Sequence, residues 1–331
     1  DNQKEAIIKA LSKRLMVITG GPGTGKTTLV KALLKLLELK KLNIKLCAPT
    51  GRAAKRLSET TGLEATTIHR LLEINSSGGG FKYNEDNRLI CDYLIVDESS
   101  MIDVTLFYAL IKALPDHIGL LLVGDVDQLP SVGAGQVLKD IINSNIITTV
   151  RLNQIFRQSE SSAIIANAHK VNKGILPDLN FRKDNSDFYF IEAEPGDDII
   201  NKIITITCDR IPKKFNLNPI NDIQLLCPMQ RGGIGARSLN TELQKVLNPN
   251  YEKGITKFGQ IFAVDDKVMQ TENNYDKDTY NGDIGIISAI DQEEQEITID
   301  FYGNKVVYDY DDLDQITLAY ATTIHKSQGS E

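Results

Sequence analysis

Nowhere in its 331 residues does the chain run for about eighteen apolar positions, so it has no helical membrane-span candidate. Residues 1–15 also lack the charged, apolar and small-residue order of a secretory signal. The chain therefore reads as soluble and cytoplasmic, with no membrane partner. Cysteine is sparse: Cys47, Cys91, Cys208 and Cys227 form no Cys-x-x-Cys pair and have no histidine at metal spacing, which argues against zinc. So few thiols fit a reducing compartment, each as a small buried hydrophobe. No repeat or low-complexity tract is evident. Positive charge is in deficit, 37 Lys/Arg against 44 Asp/Glu, and a net −7 taken as an even spread argues against nucleic acid. The spread is uneven. Residues 1–60 carry a net +9, and residues 61–331 carry −16. What is present, 41% hydrophobic and 24% charged residues, is the balance of a globular protein whose length calls for two or three cores.

Leu15-Met16-Val17-Ile18-Thr19 is a short apolar run that ends at glycines, and Leu29, Leu33, Leu36 and Leu37 follow at helical spacing. Further short apolar runs at 44–48, 93–96, 119–123 and 223–227 read as buried strands with helical patterns between most of them. Such alternation predicts an α/β fold with parallel sheets. Two segments depart from it. Residues 75–90 are polar and glycine-rich and read as a hairpin excursion, with Phe81 and Tyr83 as candidate base-stacking faces. Residues 251–314 carry a net −11 and several β-type runs, which predicts a small acidic all-β module.

Gly20-Gly21-Pro22-Gly23-Thr24-Gly25-Lys26-Thr27 satisfies G-x-x-x-x-G-K-[ST] between a predicted strand and helix. Backbone N–H groups of such a loop and the following helix N-terminus suit a nucleotide's phosphates. Lys26 would reach the β- and γ-phosphates, and Thr27 would ligate Mg²⁺. The binding set extends over Gly21, Pro22, Gly23, Thr24, Gly25, Lys26, Thr27 and Thr28. Asp97-Glu98 follows the apolar run Tyr93–Val96, at a strand's carboxyl end where open α/β sheets hold ligands. Asp97 would hold Mg²⁺ and Glu98 would activate water. Gln128, in Gly124-Asp-Val-Asp-Gln-Leu-Pro130, is the candidate γ-phosphate sensor.

These segments, with Leu152-Asn-Gln-Ile-Phe-Arg-Gln158 and Thr323-Ile-His-Lys-Ser-Gln-Gly-Ser-Glu331, come in the order found in superfamily 1 helicases, and the chain resembles their RecD-like branch. The resemblance implies two RecA-like P-loop NTPase domains with an SH3-like β-barrel insert. The expected division is 1–150 for the first motor domain, 151–250 with 315–331 for the second, and 251–314 for the insert. Gln3 resembles an adenine-reading glutamine, and Arg157 looks like an arginine finger, completing a catalytic set of Lys26, Asp97, Glu98, Gln128 and Arg157. Single-strand contacts are implied at Thr50, Gly51, Arg52, Thr67, His69, Arg70, Thr323 and His325. The implied activity is an ATP- and Mg²⁺-dependent DNA helicase that moves 5′ to 3′ on single-stranded DNA and separates duplex at junctions, in DNA repair or recombination. A protein partner is implied at the acidic module. Two alternatives stand beside it: a nucleotide-gated nucleic-acid-binding subunit with negligible hydrolysis, and an RNA motor. The family's last motif, with a second catalytic arginine, should follow Glu331, and further residues usually precede the adenine-reading glutamine. The sequence is thus expected to be a fragment with weak turnover.

Overall fold

The computed structural model describes residues 2–75, 79–152, 162–179 and 186–329. The chain divides into two compact units, Asp1–Phe190 and Ile191–Glu331, so the division falls well beyond residue 150.

The first unit alternates helices and strands: α1 (Asn2–Ser12), β1 (Leu15–Thr19), α2 (Lys26–Leu39), β2 (Ile44–Ala48), α3 (Gly51–Thr61), β3 (Ala65–Thr67), α4 (Ile68–Leu72), β4 (Tyr93–Val96), α5 (Val104–Ala113), β5 (Gly119–Gly124), α6 (Val137–Asn143), β6 (Thr148–Arg151) and α7 (Ala163–Asn172). The six strands form one parallel sheet in the order β3-β2-β4-β5-β1-β6. Both faces are covered, which is why β4 and β5 are apolar along their length rather than alternating. One core joins α1 and α2 to the sheet through Leu29, Leu33, Leu37, Ile18, Ile95 and Leu121. The other joins α4, α5 and α6 to it through Ile68, Leu72, Leu110, Leu138, Leu94 and Leu122. At 100° per residue the buried arc of α2 runs from Leu29 to Leu34, and Leu36, expected on that face, falls beyond its edge and is exposed.

The glycine-rich excursion folds back on itself. Ile74 and Phe81 form an antiparallel bridge, and the Tyr83 N–H donates to the Leu72 carbonyl at 3.0 Å. Phe81 and Tyr83 are not free stacking faces: both are partly buried against the second core, and the Phe81 ring lies 5.9 Å from that of His69. Arg88–Asp116 at 2.5 Å and the Lys112–Glu85 pair tie the returning segment to the α5 end.

The second unit begins with α8 (Asp197–Thr205), one π-helical turn and α9 (Ile211–Phe215), then β7 (Leu225–Cys227) and α10 (Ala236–Leu247). A hairpin of β8 (Ile255–Lys257) and β9 (Gln260–Phe262) follows. β10 (Lys267–Gln270), β11 (Ile284–Asp291), β12 (Glu296–Phe301), β13 (Asn304–Asp309) and β14 (Ile316–Leu318) then build an antiparallel sheet in the order β13-β12-β11-β10-β14. β12 alternates buried and partly buried residues, so Ile297, Ile299 and Phe301 enter the core. β15 (Ala321–Thr323) pairs with β7 in parallel, and among the described residues this two-stranded pair is the unit's parallel sheet.

A fully buried carboxylate locks the module to α10. Asp266 accepts from Gln244 Nε2 at 2.6 Å, Asn248 Nδ2 and the Ala263 N–H at 2.8 Å, and the Tyr320 hydroxyl at 2.9 Å. A buried carboxylate survives only with such a complete set of donors.

Candidate nucleotide and nucleic-acid sites

The parallel order places the carboxyl ends of β4, β5 and β1 side by side, and the candidate nucleotide residues emerge from these three ends. The loop after β1 turns sharply because Gly25 adopts φ 84°, a left-handed conformation that a side chain disfavours, immediately before α2 begins at Lys26. Lys26 lies across the loop, with its ammonium donating to the Gly20 carbonyl at 2.6 Å and the Gly21 carbonyl at 3.1 Å. Thr24 is buried, and its hydroxyl donates to Gly21 at 2.8 Å. Gln3, on α1, donates from Nε2 to the Thr24 carbonyl at 3.3 Å, which brings it to the loop. Pro22, Thr27 and Thr28 are exposed, while Gly21 and Gly23 are half-buried.

Asp97 leaves β4 with its N–H bonded to the Cys47 carbonyl at 2.9 Å. Burial pushes its carboxyl above the usual range, opposed by a hydrogen bond from the Glu98 N–H and by the charges of Lys26 and Arg56. Asp97 and Lys26 therefore share one electrostatic environment, although 71 residues separate them in the chain. Glu98 sits at φ 49°, ψ 37°, a strained position for a residue with a side chain, held by the turn on either side. Gln128 lies in the turn after β5, its N–H bonded to Asp125 at 3.2 Å, beside a cavity of about 270 Å³ that Ser100, Asp127 and Lys139 also line. Arg157 lies outside the described residues.

Three positioning residues escaped the sequence reading. The Thr19 hydroxyl accepts from the Val126 N–H at 3.1 Å, Ser99 donates to the Val123 carbonyl at 2.7 Å, and Asp125 accepts from the Asp127 N–H at 3.0 Å. Thr19 and Ser99 tie the segments after β1 and β4 to β5 and its turn, and Asp125 closes that turn on itself. The two hydroxyls leave no spacing signal, because their partners are backbone groups of a distant segment.

The candidate nucleic-acid threonines share one local role. Thr67 and Thr323 end strands and Thr50 follows β2 by two residues, and each caps the helical turn that follows, accepting from Ala53 N–H (Thr50) at 3.3 Å, Arg70 N–H (Thr67) at 3.1 Å and Lys326 N–H (Thr323) at 3.4 Å. Gly51 is buried, Arg52 is half-buried, and His69, Arg70 and His325 are exposed. Two distant segments of like sequence also share one structure. Ala65-Thr-Thr-Ile-His-Arg70 and Ala321-Thr-Thr-Ile-His-Lys326 are the same strand, cap and turn, once in each unit. Six residues separated by 256 make no period, which is why a repeat search passes over them.

Residues 3–134 match a family model described as an AAA domain, and residues 239–301 match one described as the SH3 domain of ATP-dependent RecD-like DNA helicases. The whole chain is 37% identical over 331 residues to the ATP-dependent RecD2 DNA helicase of Deinococcus radiodurans, covering 44% of that protein. It is 31% identical over 363 residues to the RecBCD enzyme subunit RecD of Mycolicibacterium smegmatis, again with the whole chain aligned, covering 64% of that protein. The chain thus spans between about two fifths and two thirds of these curated relatives. In fold it is similar to a Pif1 helicase from Bacteroides solved with ADP-AlF3 and single-stranded DNA, at TM-score 0.57 and 18% identity over 99% of this chain and 84% of that one. A second Pif1 structure, described for DNA unwinding at forked duplex, gives TM-score 0.57 at 20% identity, over 99% of this chain and 83% of that one.

Proposed function

This chain belongs to the RecD-like helicases, and from that membership we propose that it is the motor part of an ATP-dependent DNA helicase that moves on single-stranded DNA. The observation that carries the proposal is the convergence of the phosphate loop, Asp97-Glu98 and Gln128 on the carboxyl ends of three neighbouring parallel strands, with Asp97 within electrostatic reach of Lys26. Gly21–Thr28 cradles the phosphates and Gln3 reads the adenine edge. Lys26, now bonded to the loop's own carbonyls, transfers to the β- and γ-phosphates. A hard cation such as Mg²⁺ suits the oxygen donors Thr27 and Asp97, and when bound it neutralises charge on the β- and γ-oxygens. Glu98 accepts a proton from the attacking water, Gln128 senses the γ-phosphate, and Arg157 supplies charge to the transition state. Thr50, Gly51, Arg52, Thr67, His69, Arg70, Thr323 and His325 hold the DNA backbone. Their hydroxyls, cations and turn N–H groups suit phosphates without reading sequence. Direction of movement is 5′ to 3′, the substrate includes duplex junctions, the compartment is the cytoplasm, and the acidic module faces a protein partner.

The test is steady-state ATP turnover by residues 1–331 with and without a single-stranded oligonucleotide, repeated on Glu98→Gln. DNA should stimulate turnover, and Glu98→Gln should lower it at least about a hundredfold while nucleotide affinity stays within about threefold. Turnover indifferent to DNA in a chain extended beyond Glu331 would sink the motor reading and favour the nucleotide-gated binding subunit. Stronger stimulation by RNA would favour the RNA motor.

A further inference from the structure

The basic block of residues 1–60 is not gathered at one place. Lys26 belongs to the phosphate loop and Arg52, Lys55 and Arg56 to α3, but Lys13, Arg14 and Lys40 lie at the opposite edge of the sheet, where β1 and β5 begin and α1 and α2 end. There they rim a pocket of about 170 Å³ whose apolar lining includes Leu11, Leu42 and Tyr93, and no acidic residue lines it. The Tyr93 hydroxyl donates to the Ala10 carbonyl at 3.0 Å, so its polar end is already satisfied. Among the described residues no carboxylate pairs with the three cations. Arg14 acts on Asp116 only at longer range, and Asp116 is already bonded to Arg88. The end of α2 adds a fourth cation at a conformational cost. Lys41 takes φ 56° at the position where glycine is the usual helix terminator, while the Leu42 N–H returns to the Leu37 carbonyl at 3.4 Å.

We propose that this pocket is a docking site for an acidic peptide segment that inserts one large apolar side chain. A cavity of about 150 Å³ is enough to take a benzene ring, so the pocket matches an aromatic or large aliphatic side chain. Carboxylates flanking the anchor meet the cationic rim, which steers encounter and fixes orientation. A nucleic acid is the poorer occupant: the apolar side chains offer no donor or acceptor to a base edge. The site lies at the sheet edge away from the nucleotide residues, so occupancy and catalysis can be separated by mutation.

The experiment titrates residues 1–331 into a fluorescein-labelled peptide, Asp-Asp-Asp-Gly-Leu-Phe, and follows anisotropy at about 50 mM salt, where surface charge is weakly screened. Saturable binding is expected, weakened at least about tenfold when Ala replaces the Leu and Phe of the peptide. Lys13→Glu/Arg14→Glu/Lys40→Glu should weaken it at least as much, with ATP affinity unchanged as the check on folding. Ser12→Phe keeps every charge, fills the pocket from its rim and should give the same loss, so the proposal does not depend on the triple variant folding. Absence of saturable binding, equal affinity for the peptide without its apolar residues, or undiminished binding by Ser12→Phe would overturn the proposal. An oligothymidylate that displaces the peptide from the wild type, and whose own binding falls in the triple variant, would reassign the face to nucleic acid.

Discussion

Replacing Lys267 with methionine should change how stability depends on pH. Lys267 begins β10 and is 5% exposed. Its ammonium donates to the Ile223 carbonyl at 3.0 Å, and the charge of Asp222 offsets only part of its burial. Burial therefore pulls its pKa from 10.5 down to about 8. In the unfolded chain the amine keeps its proton until about pH 10.4. Between these values the unfolded state binds more protons, so stability rises with pH across the window, and below about pH 8 the full penalty of a buried ammonium is present. A displacement of about 2.5 pH units, at about 1.4 kcal/mol each, amounts to about 3.5 kcal/mol, of which about 3 kcal/mol develops by pH 10.5. Methionine has a similar length and no proton to lose. The lost hydrogen bond to Ile223 adds an offset of about 1–3 kcal/mol that does not vary with pH. Urea unfolding followed by far-ultraviolet circular dichroism, from pH 7 to 10.5, measures both proteins. The stability of the variant relative to wild type should fall by about 3 kcal/mol across that range, other titrating groups cancelling in the difference. A difference constant to within about 0.5 kcal/mol would refute the reasoning.

Asp266→Ala should cost at least about 3 kcal/mol in the same assay, because four buried donors lose their acceptor, and Asp266→Asn should cost less. Thr67→Ala should lose about 1 kcal/mol of stability through the α4 cap even without DNA, while Thr67→Ser should retain it. If oligonucleotide affinity falls for alanine but survives for serine, the hydroxyl and not the methyl holds the backbone; equal loss in both would refute a hydroxyl contact. Lys41→Gly should stabilise the first unit by up to about 1 kcal/mol, since glycine takes the left-handed position without strain, and unchanged thermal unfolding would contradict this.

The two units differ in how much of them could be read in advance. In the first, the four central strands are short apolar runs and the phosphate loop, Asp97-Glu98 and Gln128 each follow one, so the middle of the parallel sheet and the end holding Lys26, Asp97 and Gln128 were legible together, whereas the polar edge strands β3 and β6 were not. Leu36 was misplaced because a spacing of three or four fixes a face but not the limits of its buried arc. Phe81 and Tyr83 were misjudged because a polar, glycine-rich neighbourhood signals exposure, whereas the antiparallel return of the chain folds both rings onto the core. In the second unit the antiparallel sheet runs from Lys267 to Leu318, so its last strand lies beyond residue 314, the upper limit suggested by composition. Charge density marks surface residues, while strand pairing is set by inward-facing ones such as Ile297 and Ile316.

Sequence by itself determined the local chemistry: a phosphate loop between strand and helix, carboxylates at a strand end, and threonines at helix starts. These depend on residues a few positions apart, whose geometry the backbone fixes almost alone. Only the tertiary structure decided what depends on residues far apart in the chain. It set Asp97 within electrostatic reach of Lys26 and closed four donors on Asp266. It buried Lys267 without a close counter-charge, and it divided the basic block between two opposite edges of one sheet. Net charge carries no coordinates, and a parallel sheet sends successive segments to opposite ends of its strands.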